Sequence, residues 1–180
     1  MKKTDFHRLT TLALLVAAGI LMQLIESFFP LVMIIPGYKI GLANIAGLFA
    51  LYAYDSKDMV LVTVLRVFIA SLATGTLFSV SFLLSALGCT LSCIAMIVCK
   101  KSRLFSIYGV STAGAVFHTF GQIIAISLIY QQLFMASLLP ILTALSVVSG
   151  LCIAWLTSVL LKRLRPKEWK RECEKIGLAA

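Results

Sequence analysis

Acid is scarce in this sequence. Only seven of its 180 residues are Asp or Glu, and charged residues of both signs make up 13% of the chain. Hydrophobic residues make up 61%, with a mean hydropathy of +1.03. A water-soluble domain carries roughly 25% charged residues, so a soluble globular fold is excluded. Runs such as 138–161 are apolar on every face, which excludes the alternating strands of about ten residues that build a membrane barrel. The fold class expected is an all-α integral membrane protein. A helix rising about 1.5 Å per residue needs about 20 residues to cross a hydrocarbon core of about 30 Å. The length therefore holds about six crossings and no separate soluble catalytic domain.

What is present organises itself around that solution. Apolar spans are read at about 9–29, 40–54, 58–74, 81–99, 107–131 and 136–161, which makes residues 1–164 one six-helix membrane domain and 165–180 a basic tail. Threading six spans from the inside puts fourteen of the sixteen Lys and Arg on one side, leaving only Lys39 on the other and Arg66 within a span. That asymmetry follows the positive-inside rule, so both termini are expected in the cytoplasm of a multi-pass cell-membrane protein. The net charge of +9 then reports topology and lipid headgroups, and nucleic acid is not an expected partner. The first span, Leu9–Phe29, exceeds the roughly 7–15 apolar residues of a signal peptide core and is read as a retained helix.

Cysteines are few and odd in number: Cys89, Cys93, Cys99, Cys152 and Cys173. They support no disulfide framework. Cys89 and Cys93 stand four apart on one helical face with no His or acid nearby in sequence, so they read as small packing residues rather than metal ligands. Neither a metal nor a cofactor is expected.

Two connections depart from plain turns. The segment Phe29–Lys39 is apolar yet holds Pro30, Pro36 and Gly37, so it cannot continue a helix. Thr74–Ser81 is a second irregular piece at the same, outer end. Together they read either as a lid over a pocket or as ordinary outer turns.

Polar groups inside spans carry the functional signal, because an ionisable group in hydrocarbon costs at least about 2.5–3.5 kcal/mol. Arg66 lies roughly 12 Å into the third span, too deep to snorkel with ease. Three arrangements remain open for it: a pair or network with Glu26, direct contact with a ligand, or a lipid-facing position. In the fifth span Ser111, Gly114, Ala115, His118, Gly121 and Gln122 recur at helical offsets and form one small, polar stripe. Such a stripe packs helices closely, and His118 and Gln122 can point into a cavity from it. Asn44, near the outer end of the second span, is either a ligand contact or an interhelical hydrogen bond.

The strings Ile25-Glu26, Pro36-Gly37-Tyr38-Lys39-Ile40-Gly41-Leu42-Ala43-Asn44, Leu65-Arg66, Gly75 through Ser85, and Gly109-Val110-Ser111 with Gly114-Ala115, His118 and Gly121-Gln122 fall in order along about residues 9–160. In this order the chain resembles the Gx transporter family, also labelled heptaprenyl diphosphate synthase component I. It departs at Thr119, where members are expected to carry His-Asn ahead of the Gly-Gln. The family is similar in architecture to the substrate-binding S-components of energy-coupling-factor vitamin transporters. That kinship implies six helices, an outward-facing site under the first and third outer loops, and a separate energising membrane subunit with ATPases. It also implies docking of that subunit on small residues of the first helix, for which Ala13 and Ala17, four apart, are the candidates.

Chemistry argues against taking the synthase label as catalytic. Prenyl elongation needs clustered carboxylates to hold Mg²⁺ against diphosphates. Outside the tail the only close acids are Asp55 and Asp58, with Lys57 between them. There is no phosphate-binding P-loop either. The chain is therefore expected not to be an enzyme. The function expected is substrate binding and translocation of a small amphipathic, vitamin-, cofactor- or isoprenoid-like molecule. Asn44, Arg66, His118, Gln122, Lys39, Glu26, Thr76 and Ser79 are the candidate binding residues. Tyr38, Phe78 and Phe82 are placed to cover its apolar portion. The rivals are a non-catalytic membrane subunit associated with prenyl-quinone synthesis and a structural partner of a redox or lipid assembly.

Overall fold

Long apolar stretches become helices here because nothing in them offers the backbone an alternative, and polar clusters or basic runs interrupt the pattern between several of them. The computed structural model describes residues 3–27, 41–131, 137 and 139–164. Six helices follow in order: α1 Lys3–Ser27, α2 Asn44–Ala53, α3 Ser56–Ala73, α4 Val80–Ser102, α5 Ile107–Tyr130 and α6 Leu139–Leu164. Among the described residues there is no strand. The protein is an all-α integral membrane protein. Among the described residues four helical segments are long and apolar enough to cross a membrane: His7–Glu26, Val80–Ser102, Ile107–Tyr130 and Leu139–Leu164. Large apolar side chains such as Leu14, Val98, Leu128 and Ile141 point outward from these four helices, the surface a bilayer would cover.

The second span differs from the reading 40–54. Its helix has ten residues, about 15 Å at the usual rise, and reaches across half a bilayer core. The cause is Gly41, whose φ of +86° breaks the helical path before a turn in which the Asn44 amide donates to the Gly41 carbonyl at 2.9 Å. Such a break is tolerated because α2 is sheathed in protein: nine of its ten residues, all but Ile45, are buried. α2 packs against α1, α3, α4 and α6, and its Leu48, Phe49 and Leu51 meet Met59, Val62, Val110, Ile153 and Leu161 in the main core.

Glycine decides how closely the other helices approach. A Cβ on Gly121 of α5 would stand 2.8 Å from the Cα of Gly88 on α4, so these two backbones cross in contact. On the other side, Ser111 of α5 donates to the Gly150 carbonyl of α6 at 2.7 Å, and a Cβ on Gly150 would meet the Thr112 Cα at 2.8 Å. The small stripe of α5 therefore serves two neighbours, α4 and α6.

One end of the bundle is basic. The guanidinium of Arg8 on α1 donates through Nε to Asp58 at 3.1 Å and through Nη2 to the same oxygen, tying α1 to the start of α3. Lys100, in the last turn of α4, donates to the Leu51 carbonyl and lies 4.6 Å from the Tyr52 ring centroid. Asp55 and Asp58, the only close acids outside the tail, are thereby engaged by Arg8. At the opposite end the 74–79 turn carries Phe78 at φ 62° and Gly75 at φ 66°, and Ser79 caps α4 by accepting the Phe82 amide at 3.4 Å. The first irregular loop, with Lys39, and the basic tail lie outside the described residues.

Candidate functional site

Arg66 stands about three turns into α3, with only 3% of its surface exposed. Gly19 makes room for it: a Cβ there would lie 2.7 Å from the Arg66 Cδ, so the side chain runs across the bare backbone of α1. Its Nη2 donates to Asn44 Oδ1 at 3.3 Å and to Cys89 Sγ at 3.2 Å. The buried Nε has no hydrogen-bond partner. Among the described residues no carboxylate forms an ion pair with it. A guanidinium carries more donors than these contacts use, and a thiol is a weak acceptor. The charge-assisted bonds that normally hold such a group run at about 2.7–2.9 Å.

Glu26, 2% exposed at the far end of α1, is engaged elsewhere. One carboxylate oxygen accepts the amide of Gly41, the residue at which the chain turns into α2. The two ionisable groups that the sequence offered as a pair thus share a cavity without an ion pair. Ser85 and Cys89 of α4 and Gln23 of α1 complete the polar wall together with Asn44 and His118. The space between them is about 10 Å³, of the order of one water.

His118 is brought in by the same close crossing that joins α4 to α5. A Cβ on Gly88 would stand 3.0 Å from the His118 ring, so the imidazole occupies the space that this glycine leaves. Gln122, one turn further along α5, lies 3.3 Å from His118 Nε2 through its amide nitrogen. With that nitrogen as donor, Nε2 accepts and the imidazole proton sits on Nδ1.

Four of the residues singled out from sequence, Asn44, Arg66, His118 and Glu26, therefore line one cavity. Gln122 stands behind His118 rather than on the wall. Thr76 and Ser79 lie apart: Thr76 bonds to Thr74 at 2.8 Å and Ser79 caps α4. Lys39 is outside the described residues. Ala13 and Ala17 are exposed on the outer face of α1. Sequence reasoning passed over Gln23, Ser85 and Cys89 as wall residues. The signal was present in the offsets, since Gln23 precedes Glu26 by three and Ser85 precedes Cys89 by four, which places each pair on one helical face.

A second, larger space lies against the first. Between α3 and α4 runs a cleft of about 400 Å³, walled by Val60, Val64 and Phe68 on one side and Phe82, Ala86 and Ile94 on the other. Cys89 lines both the cleft and the polar cavity. Among the described residues no group of three or more His, Cys, Asp or Glu is placed to hold a metal ion.

Fold and site together define the class: a polytopic helical membrane protein with a buried arginine in a polar cavity lined by five of its helices. Within that class the sequence matches the family described as heptaprenyl diphosphate synthase component I over residues 15–160, and the chain belongs to that family. No curated protein and no solved structure matches it.

Proposed function

We propose that the chain is a non-catalytic, membrane-embedded binding and translocation component for a small amphipathic molecule with an acidic group. The observation that carries this reading is Arg66: 3% exposed, with no carboxylate paired to it among the described residues and only an amide oxygen and a thiol as acceptors. A buried charge so poorly compensated is stable in the membrane when an anion completes it. Asn44, His118 and Gln23 add polar groups that would orient such a molecule.

The basic end faces the cytoplasm in this reading, with both termini inside, and the polar cavity lies toward the outer half. Energy comes from a separate membrane subunit carrying ATPases, as in the S-components of vitamin transporters. The exposed face of α1 at Ala13 and Ala17 offers that subunit small residues. Mass spectrometry of molecules retained by the purified protein tests the reading. The native chain is expected to retain an acidic small molecule that Arg66→Gln loses.

The small volume of the cavity, about 10 Å³, favours a second reading. Here the chain is a membrane subunit that supports a prenyl diphosphate synthase, as the family description suggests, and its polar centre only holds helices together. Purification with a soluble synthase and without any retained small molecule would favour that alternative.

A further inference from the structure

The cleft between α3 and α4 has a feature that an ordinary lipid-facing crevice lacks: it shares a wall residue with the buried cation. α3 and α4 are joined by the 74–79 turn, yet they pack against each other less closely than α4 packs on α5. The cleft they leave, about 400 Å³, falls within the roughly 300–1,000 Å³ typical of ligand sites. From Phe82 to Ile97 it runs along α4 for about 22 Å at the usual helical rise. Its walls are apolar except for the hydroxyls of Thr63 and Thr90 and the thiols of Cys89 and Cys93. The Thr90 hydroxyl is already engaged with the Ala86 carbonyl at 2.7 Å.

We propose that this cleft receives the apolar chain of an anionic amphiphile whose head group binds Arg66, reached from the side, through the bilayer, past Cys89. The inference rests on the reading that Arg66 binds an anion and adds where the rest of the molecule lies. Charge and apolarity are arranged in sequence along one path: a cleft long enough for an extended chain, then a thiol, then a guanidinium. The cavity around Arg66 is too small for a head group by itself, so the head takes the place of the Cys89 thiol on Nη2. That exchange is favourable, because a carboxylate or phosphate oxygen is a far stronger partner for a guanidinium than sulfur. An acyl carboxylate and a prenyl phosphate share this chemistry.

Phe82→Trp, in a chain whose Trp155 and Trp169 are replaced by Phe, places a fluorophore on the cleft wall. In nanodiscs of phosphatidylcholine, dibromostearic acid is expected to quench it saturably, and the uncharged dibromostearyl alcohol to need roughly tenfold more. Arg66→Gln is expected to erase that difference. Displacement of the brominated acid by farnesyl diphosphate assigns a prenyl chain, and displacement by lauryl phosphate a linear one. Equal quenching by the acid, the alcohol and brominated phosphatidylcholine would overturn the proposal, because the cleft would then hold only bilayer lipid.

Ala86→Phe separates this inference from the reading beneath it, since it narrows the cleft while Arg66 and its partners Asn44 and Cys89 are left unsubstituted. Loss of the retained small molecule in both Ala86→Phe and Arg66→Gln supports the cleft. Retention in Ala86→Phe with loss in Arg66→Gln keeps the anion site and overturns the cleft. Retention in Arg66→Gln overturns the anion reading itself.

Discussion

Glu26 turns its carboxylate to the amide of Gly41, not to the guanidinium of Arg66. The amide is buried at the point where the chain leaves the helical path, and a buried N–H without an acceptor costs about 1–3 kcal/mol. Glu26 meets that need. Arg66 is left with an amide oxygen and a thiol, so the two opposite charges of this cavity stand side by side without a direct pair.

Glu26 can therefore be tested as a backbone acceptor. Glu26→Gln keeps an oxygen for Gly41 and is expected to unfold close to the native temperature in detergent. Glu26→Leu leaves the amide unsatisfied and is expected to lose about 1–3 kcal/mol. Equal stability of the two variants would show that the Gly41 contact contributes nothing.

Removing Arg66 is expected to have the opposite effect. Among the described residues no acid forms an ion pair with it, so Arg66→Met should be at least as stable as the native protein, relieved of an insertion cost of about 2.5–3.5 kcal/mol. Glu26→Gln should then give no rescue, because there is nothing to rescue. A marked fall in the thermal midpoint of Arg66→Met, restored by Glu26→Gln, would reveal a pair that the structure does not contain.

The α4–α5 crossing supplies a comparison between two glycines. At Gly121 an added Cβ meets backbone of α4 at 2.8 Å, which cannot step aside, so Gly121→Ala is expected to destabilise by about 1–3 kcal/mol. At Gly75, with nothing within 4 Å but a φ of +66°, the cost of alanine is only the left-handed backbone, about 1–2 kcal/mol. Spectral changes at His118, followed by NMR of labelled imidazole, should accompany Gly121→Ala and be missing in Gly75→Ala.

At the basic end, the Arg8–Asp58 pair links α1 to α3 with Arg8 partly in solvent. A double-mutant cycle with Arg8→Met and Asp58→Asn should give a favourable coupling that shrinks as salt rises. A coupling insensitive to salt would mean that the packing of Arg8 over Tyr54, 5.7 Å from its centroid, holds the end together instead.

Orientation follows from charge and can be measured directly. In a chain freed of its native cysteines, Ser79→Cys should react with a membrane-impermeant thiol reagent from outside, and Arg103→Cys only after the cytoplasmic face is opened. The reverse pattern would place the basic end outside and remove the basis for an outward polar cavity.

The helical membrane class was legible from the shortage of acid and the unbroken apolar runs, because hydrocarbon leaves the backbone only closed solutions such as helices. The polar residues of the site were legible too: Arg66, Asn44, Glu26 and His118 stand out as costly groups in apolar spans, and they do converge. Which of them touch was not legible. The length of α2, the choice of Gly41 as Glu26's partner and the role of Cys89 beside Arg66 depend on contacts between residues 15 to 23 positions apart. The 400 Å³ cleft depends on the angle at which α3 and α4 diverge. Periodicity reports which face of one helix is polar. Only the packing of several helices decides which neighbour that face meets, since the same small residues, Gly19, Gly88 and Gly121, could admit any backbone until the crossings were set.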